Sequence, residues 1–149
     1  MPTLLERLNE DMKTAMKAGE KDRLETIRLI LSDTKYRKVE KGADLDDADV
    51  IAICQSMVKK RRESIDQFTK GGRADLAARE EAQTKVIQSY LPEQMGVDEL
   101  QKIIDGEKTS TGAASMKDMG KLMKAVQAKT SGRADGKLLA DLVKKALGG

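Results

Sequence analysis

Cys54 is the single cysteine of this 149-residue chain, and the chain has no histidine. Together these facts remove most catalytic constellations. No serine or cysteine can draw on a histidine base, and no histidine can hold a metal. One thiol gives neither an internal disulfide nor a multi-cysteine zinc or iron–sulfur site. Cys54 shares a helical stripe with Val50, Met57 and Arg61, which reads as a buried, inert thiol rather than a nucleophile. Freeing ammonia from glutamine requires an activated nucleophile. The chain has no Gly-x-Ser-x-Gly, no serine–lysine amidase signature and no phosphate loop for ATP. Asp44, Asp46, Asp47 and Asp49 cluster, but Val50-Ile51-Ala52-Ile53 follows them. A calcium loop would continue with a glycine and a distant glutamate, so the cluster reads as a helix start. The residues therefore predict no catalytic group, no metal ligand and no cofactor.

Charge is the other chemistry on offer. There are 28 Lys and Arg against 25 Asp and Glu, a net charge of +3. Residues 1–95 carry 18 basic and 18 acidic side chains, while residues 116–149 carry 8 basic and 3 acidic. The excess thus sits in the C-terminal third, where a polyanion would be met. The densest run, Lys59-Lys60-Arg61-Arg62, fans around a helix and has Glu63 and Asp66 within pairing distance along it, so it reads as a solvated face. Tyr36, Phe68 and Tyr90 are the only aromatic residues, too few for a platform that stacks single-stranded bases.

These side chains must be positioned by helices. No segment alternates with the period of a strand. Charged residues reach 36%, and the core must be built from Leu, Ile, Val, Met and Ala. Thr3-Leu4-Leu5-Glu6 has capping-box spacing, followed by Leu5, Leu8, Met12, Ala15 and Met16 at helical intervals, and Gly19 is placed to end that helix. Leu24, Ile27, Ile30, Leu31 and Thr34 predict a second helix stopped at Lys41-Gly42. A third opens at Asp46 and runs to about Lys70, broken by Gly71-Gly72. A fourth covers about Ala74 to Tyr90. Pro92 then pushes Leu91 out of the α region. Beyond it, helices are expected from Asp98 to about Thr111, from Ser115 through Met119, Leu122, Met123 and Val126, and from Asp135 through Leu147. The eight methionines read as core filler, with Met116, Met119 and Met123 also able to form an adaptable contact surface.

The chain is therefore expected to be all-α, with an N-terminal domain of long antiparallel helices (residues 1–93) and a C-terminal three-helix module (94–149). No apolar run is long enough to span a membrane. The opening Met1-Pro2-Thr3-Leu4-Leu5-Glu6 lacks a basic segment followed by an apolar one, so the expected compartment is the cytoplasm.

The C-terminal run Asp118-Met119-Gly120-Lys121-Leu122-Met123, followed by Ser131-Gly132-Arg133-Ala134-Asp135-Gly136-Lys137, resembles the YqeY family. The Tyr90-Leu91-Pro92-Glu93-Gln94 boundary and the opening Leu4-Leu5-Glu6-Arg7-Leu8 fit the same family. The resemblance spans essentially the whole chain. The polar second half of the helix from Asp98 departs from it. YqeY proteins share their C-terminal helices with the tail of GatB, a subunit of the tRNA-dependent amidotransferase, where the tail helps hold transfer RNA. The resemblance implies an accessory helical protein whose partner is transfer RNA or a tRNA-handling complex. It also carries the family's label of carbon–nitrogen ligase activity with glutamine as amide donor, although nothing here matches the catalytic portion of GatB. A third reading is a protein–protein adaptor that uses the apolar edge of the long third helix.

Combined with the charge excess, the resemblance places nucleic-acid binding on the C-terminal module, with Lys121, Lys124, Arg133 and Lys137 as candidates. The motif glycines and Asp135 also have structural readings. Gly120, between Met119 and Leu122, suits close approach of another helix. Gly132 suits a left-handed residue after a helix end, and Asp135 suits an N-cap. Helix N-terminal amides in the 132–136 turn could instead hold a phosphate, though Asp135 would repel one.

Overall fold

The computed structural model describes residues 2–149, and among these every regular element is helical. Seven α-helices follow in order: α1 (Leu4–Ala18), α2 (Lys21–Lys41), α3 (Asp47–Lys70), α4 (Ala74–Gln88), α5 (Val97–Thr111), α6 (Met119–Thr130) and α7 (Gly136–Ala146). One 3-10 turn, Met116–Asp118, leads into α6. The chain divides into two compact units, one ending at Leu91 and the other running from Pro92 to Gly149.

The helix ends follow from local chemistry. At α1 the Thr3 hydroxyl accepts from the Glu6 N–H at 3.1 Å and the Glu6 carboxylate accepts from the Thr3 N–H at 3.4 Å, a reciprocal cap that satisfies two amides with no partner inside the helix. Asp46 and Asp49 form the same box at α3, with distances of 2.9 and 3.0 Å. The acidic cluster is thus a helix start. Lys41 reaches Asp49 at 2.6 Å, and that hydrogen bond, ahead of the Asp46 amide bonds, holds the Asp49 carboxyl below its usual range. Gly19 ends α1 with φ 71°, a left-handed conformation that a side chain would strain.

In the first unit Leu8, Ile27, Ile30, Val50, Cys54 and Ile87 are fully or almost fully buried in one cluster that also takes in Met57, Val58 and Tyr90. The α3–α4 hairpin turns at Gly71-Gly72-Arg73, where the Arg73 N–H reaches the Phe68 carbonyl at 2.8 Å. The buried face of α3, Val50, Cys54, Met57 and Val58, packs chiefly against α4.

Lys59 and Lys60 are exposed, but Arg61 and Arg62 are half-buried and reach across to α4. Arg62 donates to both Glu81 carboxylate oxygens at 3.0 and 3.2 Å, and Arg61 donates to the Gln83 side-chain amide oxygen at 3.2 Å. The basic run is thus partly an inter-helix seam rather than a wholly solvated face, because a hairpin brings residues twenty positions apart side by side. The fourth helix ends at Gln88, and Ser89 to Leu91 continue as tight turns.

In the second unit α5, α6 and α7 pack around Leu100, Ile104, Leu122, Val126, Leu139, Val143 and Leu147. The polar second half of α5 docks by its tips: Lys108 donates to the Ala146 carbonyl at the end of α7 at 2.7 Å, and Glu107 pairs with Lys129 at 3.6 Å. The Lys108 ammonium faces a carbonyl that no further turn of α7 satisfies, at the end of the helix that favours a cation.

Candidate nucleic-acid interface

The outer face of α6 is set by what its inner face buries. Leu122 and Val126 are 0% exposed. Lys121, Lys124 and Ala128, at intervals of three and four residues, therefore share the opposite side and are exposed, and Lys117, in the 3-10 turn before them, is exposed as well. Lys117 and Lys124 make no ion pair among the described residues. The one acid at the start of the row, Asp118, accepts from the Ala114 N–H at 2.9 Å and the Ser115 N–H at 3.4 Å. Those amides, ahead of the nearby Lys121, hold its carboxyl below the usual range. Asp118 thus serves the turn that starts the helix.

Gly120 lies on this outer side. It is exposed, and a Cβ built on it would meet nothing within 4 Å. This corrects the expectation that Gly120 admits a neighbouring helix: Met119 and Leu122 face the core, and a residue between them points away from it. The glycine instead leaves a side-chain-free notch beside Lys117, Lys121 and Lys124. From Lys121 to Lys124 the row rises about 4.5 Å, three residues at 1.5 Å each, and Lys117 precedes them in the 3-10 turn.

The other two candidates are held differently. Arg133 is half-buried, and its Nε–H donates to the Glu93 carbonyl at 3.0 Å. Its own carbonyl accepts from the Met95 N–H at 2.7 Å, and its N–H donates to the Thr130 carbonyl at 2.7 Å. Gln94 adds a bond from Nε2 to the Gly132 carbonyl at 3.0 Å. Arg133 thus straps the segment before α5 to the turn after α6. Gly132 makes that turn with φ 78°, as the sequence leads one to expect. Asp135 caps α7, its carboxylate accepting from the Lys137 N–H at 3.0 Å. A carboxylate at that N-terminus takes the place an anion would need. Lys137 is half-buried beside it. The structure therefore brings Lys121 and Lys124 together on one face and sets Arg133 and Lys137 in the 132–137 turn.

Sequence reasoning passed over Lys117, the third member of the row. Its spacing of four from Lys121 was the available signal, obscured because it falls in the 3-10 turn rather than in a regular helix. It also passed over the cluster around Tyr90. The Tyr90 ring is 2% exposed, its hydroxyl donates to the Asp11 carboxylate at 2.6 Å, and the Arg7 guanidinium lies 4.8 Å from the ring centroid. Arg7 also donates to the Ser89 carbonyl at 2.9 Å. Arg7 also lies 3.9 Å from the Asp11 carboxylate, so the cluster reads as a brace between α1 and the end of α4.

Cys54 is 0% exposed, and burial, with Asp33 adding to it, pushes its thiol up to about 11. Thiolate is then nearly absent at neutral pH. We expect 5,5′-dithiobis(2-nitrobenzoate) to leave the native chain unlabelled over minutes at pH 8 and to titrate one thiol once guanidinium unfolds it. Rapid labelling of the native chain would show that Cys54 is reachable and activated. Among the described residues no three Cys, Asp or Glu side chains converge to hold a metal, and no helix is long and apolar enough to cross a membrane.

Comparison with known proteins sets this surface in a family. The profile described as Yqey-like protein matches residues 5–147. An uncharacterised protein of Schizosaccharomyces pombe, C22F3.15, is 32% identical over 93 residues, covering 62% of this chain and 76% of its own length. Altered inheritance of mitochondria protein 41, mitochondrial, of Vanderwaltozyma polyspora is 31% identical over 120 residues, 75% of this chain and 64% of its own length. The protein of the same name in Saccharomyces cerevisiae strain YJM789 is 28% identical over 112 residues, 70% of this chain and 60% of its own. The chain thus spans under two thirds of the length of these mitochondrial relatives. With the all-helical fold and a profile match over nearly its full length, the chain belongs to the YqeY family.

Proposed function

We propose that the C-terminal unit binds transfer RNA, alone or within a tRNA-handling complex, through the lysine row of α6. The observation that carries this reading is the exposed Lys117, Lys121 and Lys124 flanking the open notch at Gly120. Long ammonium side chains act as mobile point charges for phosphates. A glycine among them lets a sugar–phosphate backbone come close to the helix. The recognition is of shape and charge, as for double-stranded RNA, and the net charge of +3 keeps it weak unless a partner protein adds contacts. We take the cytoplasm as the compartment of this chain, while the word mitochondrial stands in the names of the yeast relatives.

Counterion release sets the test. Each phosphate contact contributes about 0.9 to the slope of log affinity against log salt for B-form duplex and about 0.7 for single strands. Three lysines predict a slope of about −2 to −3. In a transfer RNA titration at several salt concentrations, Lys117→Ala, Lys121→Ala and Lys124→Ala together should weaken binding and flatten the slope toward zero. Lys59→Ala with Lys60→Ala should leave it in place. An unchanged slope in the triple variant would remove the row from RNA binding.

A further inference from the structure

The helix α2 presents apolar side chains on two opposite faces. One carries Ile27, Ile30, Leu31 and Thr34, all buried in the first unit's core. The other exposes Leu29 at 39%, Tyr36 at 75% and Val39 at 82%. These three, with Ser32, fall at intervals of three and four residues, a heptad seam with Leu29 and Tyr36 at a positions and Ser32 and Val39 at d positions. The residues flanking that seam are charged and sorted by sign. The g positions are Arg28 and Lys35, and the e positions are Asp33 and Glu40. All four are exposed. Arg28, Lys35 and Asp33 make no ion pair among the described residues, and Glu40 pairs only with Arg37 on its own helix, at 3.5 Å.

We propose that this face of α2 is an interface with a second copy of the chain, two α2 helices lying parallel about a two-fold axis. The charge pattern selects both the occupant and the orientation. In a parallel pair a g residue meets the e residue five positions later on the partner. Arg28 then meets the second copy's Asp33, and Lys35 meets the second copy's Glu40, each contact occurring twice by symmetry. An antiparallel pair sets g against g and e against e, which would place Arg28 and Lys35 of the two copies together. The chain thus carries both halves of the complementarity that this seam requires. Ser32 at a d position leaves room beside the Tyr36 ring. The seam is short: the preceding turn carries Asp22 and Glu25, the latter paired with Arg79 at 3.7 Å. The dimer is accordingly weak and concentration-dependent.

The test uses the full chain in sedimentation equilibrium. The wild type should pass from monomer toward dimer as its concentration rises to about 1 mM. Arg28→Glu with Lys35→Glu makes both edges acidic, and Asp33→Lys with Glu40→Lys makes both basic. Each double variant alone should associate at least about tenfold more weakly than the wild type, through like-charge repulsion. An equimolar mixture of the two should form a heterodimer as tight as the wild-type dimer or tighter. The proposal is overturned if the wild type stays monomeric throughout, if the double variants self-associate like the wild type, or if the mixture fails to associate.

Discussion

Leu8→Ala is expected to lower the stability of the chain by about 3 kcal/mol, in the middle of the range for buried leucine truncation. The side chain is 0% exposed and sits in the cluster of Ile27, Ile30, Val50 and Ile87. β-Branched neighbours are stiff at χ1 and cannot swing into the vacated space, so most of the cavity stays open. Met12 and Met57 border the same cluster, and their flexible thioethers fill part of it, which keeps the loss from the top of the range. With total stability of a domain at about 5–15 kcal/mol, the change takes a large share. Met57→Leu, nearly volume-conserving, should cost less than about 1.5 kcal/mol. Urea unfolding followed by circular dichroism measures both. A Leu8→Ala loss below about 1 kcal/mol would mean that the α1 contact contributes little to the core.

The second large effect lies at Tyr90. Its hydroxyl is buried and donates to a carboxylate at 2.6 Å, a charge-assisted bond of the stronger class. Tyr90→Phe removes this charge-assisted bond at an expected cost of about 1.5–3 kcal/mol, while Asp11 keeps the Arg7 guanidinium at 3.9 Å. Asp11→Ala should cost a similar amount, because it strands the tyrosine hydroxyl, and the double variant should cost less than the sum of the two.

The pH dependence gives a further sign. Burial first, then the bond to Asp11, raises the Tyr90 phenol well above its ordinary range. The unfolded chain therefore releases this proton before the folded one does. The stabilisation is whole below the unfolded tyrosine value near 10 and declines as pH rises beyond it. Cys54, raised to about 11, begins a similar decline near pH 9, from its unfolded value. Tyr90→Phe should keep the earlier, thiol-linked fall and lose the later one. An identical alkaline profile in wild type and variant would show that the phenol is no more buried in the folded chain than in the unfolded one.

Local chemistry was legible in the residues, and pairing between helices was not. Thr3, Asp46 and Asp135 could be read as caps because a cap is decided within four residues. The stops at Gly19 and Gly42 could be read because a left-handed residue favours glycine whatever surrounds it. Arg61 and Arg62 were misjudged for the opposite reason: Glu81 and Gln83 reach them only once α3 and α4 fold back on each other. Gly120 shows the limit at the candidate site. A glycine in a helix carries no apolar signal, so the periodicity of its neighbours had to decide its side, and Met119 and Leu122 place it outward. Arg133 showed its charge in the sequence but not its carbonyl partner, Glu93, which lies forty residues earlier. Tyr90 was read only as the end of a helix, since nothing local points from it to Asp11.

The strap between Glu93–Met95 and Gly132–Arg133 bears on how such a chain can be rearranged over generations. Its bonds join the residues just after Leu91 to the turn before α7, so the lead-in segment belongs to the module that follows it. A recombination seam at Leu91-Pro92 would carry the whole strap with the C-terminal helices, whereas one at Gly96 would leave the Met95 amide and the Glu93 carbonyl with the wrong parent. A module that brings its own fastening keeps its lead-in ordered whatever body stands before it, which is the property a portable tail requires.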